Sequence, residues 1–176
     1  MTVTAPTTAS PGQLTIEEAT AADYERIGDI TVDAYVAAGH FEDPNHEYMH
    51  FVRQVAARHE HCTILVAKRE GRVIASMSLM RHGTKYADIA RPGELEIRML
   101  SVDPATQRSG AGRAMVAAAM DRARSLDGVH TVSLTTGGHW EGARALYEKL
   151  GFTHQSDRDW FVPDTDIRLV VYTHAL

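Results

Sequence analysis

The stretch from Glu94 to Leu134 constrains the fold more than any other part of the chain. Glu94-Leu-Glu-Ile-Arg-Met-Leu-Ser-Val102 alternates in polarity, which predicts a strand with Glu94, Glu96 and Arg98 on one face and Leu95, Ile97 and Met99 on the other. After Asp103-Pro104 and a short polar loop, Met115, Ala119, Met120 and Ala123 recur at helical spacing, and Val132 and Leu134 alternate again. Strand, glycine-bearing loop, helix and strand make a crossover unit, the connection that neighbouring parallel strands require.

The flanking segments predict what surrounds this unit. Leu14 to Glu18 alternates as a short strand, and Thr20 with Asp23 three residues on is an acidic variant of the capping box. Ile27, Ile30, Ala34 and Tyr35, then Met49, Val52, Val55 and Ala56, predict two helices, or one broken near Gly39, over residues 20–59. Cys62 to Lys68 and Val73 to Met80, separated by Glu70-Gly71, read as a β-hairpin. Residues 82–93 form a loop longer than the usual ~4–6 residues and are a candidate for substrate contact. Ala143, Leu146 and Leu150 predict a helix from Trp140 to Leu150, with Gly151 in the left-handed cap position and Phe152 packing back on it. Ile167 to Tyr172 is rich in β-formers and predicts a final strand. The expectation is one α/β (α+β) domain over residues 13–176, with a mixed, mostly antiparallel sheet of six to seven strands flanked by helices. Residues 1–12 are expected to form a disordered tail.

Composition narrows the function. With 176 residues, 44% of them apolar and 23% charged, the chain can bury one well-packed core. The net charge is −5 and the eighteen basic residues are scattered, which speaks against a nucleic-acid-binding face. Cys62 is the single cysteine, so no intramolecular disulfide forms; a buried thiol and a reducing compartment are expected. MTVTAPTTASPGQ has neither a basic n-region nor an apolar core, and no run approaches the ~18 apolar residues of a membrane span. A cytoplasmic protein without a membrane partner is the expectation.

The chemistry concentrates in Gln107-Arg108-Ser109-Gly110-Ala111-Gly112-Arg113, between a strand and a helix. Glycines there let main-chain N–H groups approach a ligand, and the first N–H groups of a helix lack intrahelical partners at the positive end of its dipole. A pyrophosphate can be held by such a loop, with Arg108 and Arg113 adding charge. No Gly-Lys-Ser/Thr follows Gly110, and Met115 stands where a third glycine would be, so neither the P-loop nor the dinucleotide fingerprint fits.

These residues resemble the general-control-nonrepressible-related N-acetyltransferase (GNAT) superfamily, whose central motif is a strand, then Gln/Arg-x-x-Gly-x-Gly/Ala, then a helix. A second block of that family, ending Leu-Tyr-Glu-Lys-Leu-Gly-Phe, stands at Leu146 to Phe152. The resemblance runs from about Leu14 to the C-terminus. It implies an acetyl-coenzyme A-dependent N-acetyltransferase acting on an amine acceptor, with direct transfer in a ternary complex and no metal. It further implies that main-chain groups of Leu100, Ser101 and Val102 pair with the pantetheine arm, while Gln107 to Arg113 hold the pyrophosphate. The sheet would splay between the strands at 94–102 and 130–135, and homodimers are frequent in the family.

Tyr147 matches the family tyrosine that protonates the departing thiolate. On reference values, a phenol near ~10 protonating a thiol near ~8.5 is uphill by ~2 kcal/mol, so the step requires a poorly solvated thiolate or a helper. Glu96 is the candidate to take the acceptor's proton, directly or through water; Glu94 shares its face, and either can pair with Arg98 as a structural ion pair. Where the family often has an asparagine contacting the cofactor arm, this chain has Trp140, which removes the amide and could line the acceptor pocket instead, as could Trp160. The acidic balance leans towards a cationic amine as acceptor.

Two alternatives compete. His46-Glu-Tyr-Met-His50 matches H-E-x-x-H, which on a helix places two imidazoles one turn apart for zinc, with His59, Glu60 or His61 as third ligand. That peptidase reading explains one pentapeptide, whereas the acetyltransferase reading explains the strand, loop, helix and tyrosine blocks together. A non-catalytic acyl-coenzyme A-binding domain is the other alternative.

Overall fold

The computed structural model describes residues 12–176. Most of the expected tail, residues 1–11, lies outside the described residues. The chain runs β1 (Leu14–Glu18), α1 (Tyr24–Ala37), α2 (Glu47–Val52), α3 (Val55–His59), β2 (Thr63–Arg69), β3 (Arg72–Arg81), β4 (Glu94–Val102), α4 (Ala111–Arg124), β5 (Thr131–Gly137), α5 (Glu141–Lys149), β6 (Thr153–His154), β7 (Trp160–Phe161) and β8 (Arg168–Ala175). One eight-stranded sheet has the order β1-β2-β3-β4-β5-β8-β6, with β7 also on β8. Every pairing is antiparallel except β4 with β5, which the α4 crossover makes parallel. The strand count exceeds the expected six to seven because β6 and β7 are two-residue pairings against β8 that carry no periodicity of their own.

The local rules hold. The Asp23 carboxylate accepts from the Thr20 backbone N–H at 2.9 Å and hydroxyl at 3.1 Å, closing the entry to α1. Glu70 and Gly71 turn the β2–β3 hairpin with φ of 52° and 77°. Gly151 takes φ 87°, and the Phe152 N–H returns to the Tyr147 carbonyl at 3.0 Å, so Phe152 folds back beneath Tyr147.

α4 lies on one face of the sheet, where Met115, Val116, Ala119, Met120 and Ala123 pack on Ile74, Leu95, Ile97, Val132 and Leu134. α1, α2 and α3 cover the other face with two smaller clusters. Between residues 20 and 59 a short 3-10 turn at Ala21–Asp23 is followed by three α-helices, because the chain leaves the helix at Ala38 and again at Arg53-Gln54. The β4 alternation also fails at one place. Met99 adopts φ 53°, opposite an irregularity between Ser76 and Ser78 of β3, and its side chain joins Val32, Met49 and Val52 on the α1–α2 side. A β-bulge has inserted one residue, so Leu100 and Val102 return to the α4 face.

Candidate active site

The bulge and the end of the parallel ladder occur together. β4 and β5 pair only from Glu94 and Thr131 to Ile97 and Leu134. Beyond that point β4 keeps its bonds to β3 as far as Val102, and β5 keeps its bonds to β8 as far as Gly137. Each therefore turns one edge of main-chain N–H and C=O groups towards the other across a gap. The gap is a cleft of about 860 Å³, lined on one side by Ile97 and Met99 to Val102 and on the other by Thr135 and Thr136.

One end of the cleft is the loop from Gln107 to Arg113. Asp103 accepts from the Ala105 N–H at 2.9 Å and pairs with Arg26 of α1, which anchors the start of this loop to the opposite side of the sheet. Arg108 and Gly110 have φ of 63° and 80°, left-handed conformations that turn the chain sharply into α4. The first helical bond of α4 is from the Ala114 N–H to the Gly110 carbonyl, which leaves the N–H groups of Ala111, Gly112 and Arg113 without helical partners. The Ser109 hydroxyl is buried there, without a hydrogen-bond partner among the described residues. Arg108 and Arg113 are exposed along the same loop. Free N–H groups, an unsatisfied hydroxyl and two cations suit a pyrophosphate. Glycine is demanded at 110 by backbone angle alone, because a Cβ there would meet no atom within 4 Å.

Tyr147 enters the cleft from α5. It is 8% exposed, its ring sits edge-on to Phe152 at 5.9 Å, and among the described residues its hydroxyl makes no hydrogen bond. Burial pushes its pKa up to about 12.

Trp140 is the N-cap residue of α5, and its indole lies on Gly137, where a Cβ would sit 2.4 Å from the ring. The indole stacks on His40 at 3.3 Å between centroids and donates Nε1–H to His139 Nε2 at 2.9 Å. Both Trp140 and His40 line the cleft, so this pair joins the segment after α1 to the start of α5. Burial, with His139 nearby, lowers the His40 pKa to about 4, which leaves the imidazole neutral at neutral pH.

Glu96 stands apart from this lining. It is 1% exposed, and its Oε2 accepts from the N–H groups of Asp88, Ile89 and Ala90 at 2.9, 3.0 and 3.1 Å. Its Oε1 lies 4.0 Å from Arg98 Nε. Burial raises its pKa despite the backbone bonds that oppose the shift. The 82–93 loop is thus tied down onto β4 by a carboxylate. Glu94, on the same face, is held by Arg158 at 2.9 and 3.0 Å, and Arg98 pairs with Asp88 at 2.8 Å.

The profile of the Acetyltransferase (GNAT) family matches residues 24–152, a span that contains the parted strands, the phosphate-type loop and Tyr147. The chain belongs to the GNAT acetyltransferase family. A mycothiol acetyltransferase from Beutenbergia cavernae is 43% identical over 84 residues, which is 48% of this chain and 25% of that protein, so the match spans about a quarter of the relative's length. A Salmonella typhimurium structure with its cofactor acetyl-coenzyme A superimposes with a TM-score of 0.70 at 22% identity, covering 93% of this chain and 94% of that one. A Bacillus subtilis acetyltransferase in complex with coenzyme A gives 0.66 at 22% identity, covering 93% and 99%. Both likenesses concern the GNAT fold.

Of the residues singled out in the sequence, the GNAT fold brings Leu100, Ser101, Val102, Gln107 to Arg113 and Tyr147 into one cleft, while Glu96 sits under the neighbouring loop. Sequence reasoning missed His40, Thr135 and Thr136. Threonines in a strand and a histidine after a helix carry no pattern; the adjacent Gly137-Gly138 was the one local signal of a close approach. His46 of the H-E-x-x-H match precedes α2 as its N-cap, with Nδ1 accepting from the Tyr48 N–H at 3.1 Å. Among the described residues no three His, Cys, Asp or Glu side chains converge as a metal cluster would, and no helix is long and apolar enough to cross a membrane.

Proposed function

We propose that this protein is an acetyl-coenzyme A-dependent N-acetyltransferase that acetylates a primary amine by direct attack in a ternary complex. The observation that carries the reading is the convergence of two open strand edges, unpartnered N–H groups at the start of α4 and an unbonded tyrosine hydroxyl on one cleft. The cosubstrate supplies an acetyl thioester.

In this reading the N–H groups of Ala111 to Arg113, the Ser109 hydroxyl, Gln107 and the two arginines hold the pyrophosphate. The main chain of Leu100 to Val102 pairs with the amide-bearing arm as an added strand would. As the amine nitrogen bonds to the acyl carbon and the C–S bond breaks, Tyr147 gives its proton to sulfur. Burial makes it a more reluctant acid, but an ionised thiolate in the same buried site is also disfavoured, which restores the driving force. Glu96 takes the amine's proton through water at Oε1, the carboxylate oxygen that the loop N–H groups leave unbonded, and burial raises its basicity for that task. The Trp140–His40 pair screens this space from solvent. The single cysteine suits a reducing cytoplasm, where we place the reaction.

Calorimetric titration with acetyl-coenzyme A tests the reading, followed by coenzyme A release with an amine panel. Micromolar binding and amine-dependent release are expected. Absence of binding by the wild-type protein overturns it.

A further inference from the structure

A second recess, of about 370 Å³, is walled by Asp88, Ile89, Arg91, Arg158 and Trp160. Its walls are fixed from within. Arg158 holds the Glu94 carboxylate with both terminal nitrogens and donates to the Ile89 carbonyl at 2.7 Å. Asp88 pairs with Arg98, while Glu96 holds the Asp88 and Ile89 N–H groups. The Arg91 N–H donates to Glu94 at 3.0 Å, which sets where that side chain starts.

Charge accounting then isolates one group. The Arg158–Glu94 and Asp88–Arg98 pairs cancel, and the Glu96 carboxylate, buried outside the lining, is taken up by the three loop N–H groups and Arg98. Arg91 is exposed, and among the described residues no carboxylate lies within ion-pair distance of it. The recess therefore presents one uncompensated guanidinium beside a half-buried indole.

One hydrogen bond joins the wall of the recess to the wall of the cleft. Trp160 Nε1–H donates to Thr135 Oγ at 3.4 Å, and Thr135 is the first residue of β5 beyond the parallel pairing and lines the cleft. Recess and cleft thus adjoin across the Trp160–Thr135 hydrogen bond, where the two strands part, with Glu96 beneath the same loop.

We infer that this recess takes the acceptor, and that the acceptor is a small amine bearing a carboxylate. This rests on the acetyltransferase reading above. The carboxylate meets the Arg91 fork, a planar match that favours it over a lone ammonium. The body of the acceptor lies on Trp160, and the amine points past Thr135 to the cleft. An acceptor whose only charge is its ammonium finds no unpaired anion in these walls. The volume sits at the lower end of small-ligand sites, which suits a molecule of amino-acid size over a folded protein.

The test is calorimetric titration of protein saturated with coenzyme A, which binds without turnover, using amino acids with aliphatic, aromatic and polar side chains, each beside its carboxamide. The same pairs are then assayed for acetyl transfer. At least one amino acid is expected to bind at least tenfold more tightly than its carboxamide. In Arg91→Ala that preference should collapse with KM rising and the coenzyme A affinity unchanged; Arg91→Lys should restore part of it. Equal affinity for carboxylate and carboxamide, or an unchanged preference in Arg91→Ala, overturns the inference. So does no binding by any pair to protein that still takes coenzyme A, which leaves the cofactor reading standing. Failure of coenzyme A itself to bind is the separate failure of that reading.

Discussion

Gly110 separates fold from function in one position. Its φ of 80° strains any L-residue by ~1–2 kcal/mol, yet a Cβ there meets no protein atom within 4 Å. Gly110→Ala should therefore lower Tm by about 2–8 °C, at ~2–4 °C per kcal/mol for a chain of this size. That strain is common to free and bound protein, so it cancels in the affinity. Any loss of acetyl-coenzyme A binding must come from what occupies the open space. In Gly110→Asp, a carboxylate ~5 Å from a doubly charged pyrophosphate costs roughly 1–2 kcal/mol even at the dielectric of water. A displaced charge-assisted hydrogen bond adds ~1.5–3 kcal/mol. The affinity should fall by about two to four orders of magnitude, at ~1.4 kcal/mol per decade, while Tm falls no further than in the alanine variant, because aspartate tolerates the left-handed N-cap position better than alanine. Calorimetry and thermal unfolding on the three proteins read both quantities. If Gly110→Asp shows the Tm loss but keeps wild-type affinity, the loop from Gln107 to Arg113 does not hold the phosphates.

Further outcomes follow from the side chains. Tyr147→Phe should leave cofactor affinity and stability nearly unchanged, because the hydroxyl makes no hydrogen bond among the described residues, yet cut kcat by at least about tenfold; full activity removes the acid role. With the phenol pushed up to about 12, the wild-type rate should show no falling limb from Tyr147 below about pH 11. Arg158→Ala strands a buried carboxylate and should cost ~3–5 kcal/mol at pH 7 in urea unfolding. Burial pushes Glu94 up, but Arg158 and the Arg91 N–H outweigh it and hold its pKa below the usual carboxylate value. The wild type therefore loses this stability as pH falls through the folded pKa, and the deficit of the variant should narrow as the solution is acidified through the carboxylate range; a deficit independent of pH contradicts the pairing. The His40–Trp140 stack should loosen only near pH 4, followed by Trp140 fluorescence in Trp160→Phe. A midpoint at the ordinary histidine value of ~6.5 would show that the ring is not desolvated by the stack.

What was legible in the sequence was local. Alternation found β4, the 3.6-residue stripe found the buried face of α4, and the glycine at 151 fixed the end of α5, because each is set by neighbours a few residues away. Gln107 to Arg113 and Tyr147 were readable for the same reason: a glycine-rich turn before a helix start binds anions through its own backbone. Tertiary structure decided the rest. The bulge that turns Met99 to the opposite face arises from a mismatch between β3 and β4, and no alternation within β4 reveals it. Glu96 alternates correctly, yet whether it faces the cleft or pins the 82–93 loop depends on three N–H groups that the loop brings to it. His40 meets Trp140 across one hundred residues of chain, and Arg91 becomes the uncompensated charge of its recess only because Arg158 and Arg98 find carboxylates first. Pairing between distant segments depends on which surfaces the fold apposes, and a linear pattern carries the faces of each element without the identity of the partner they meet.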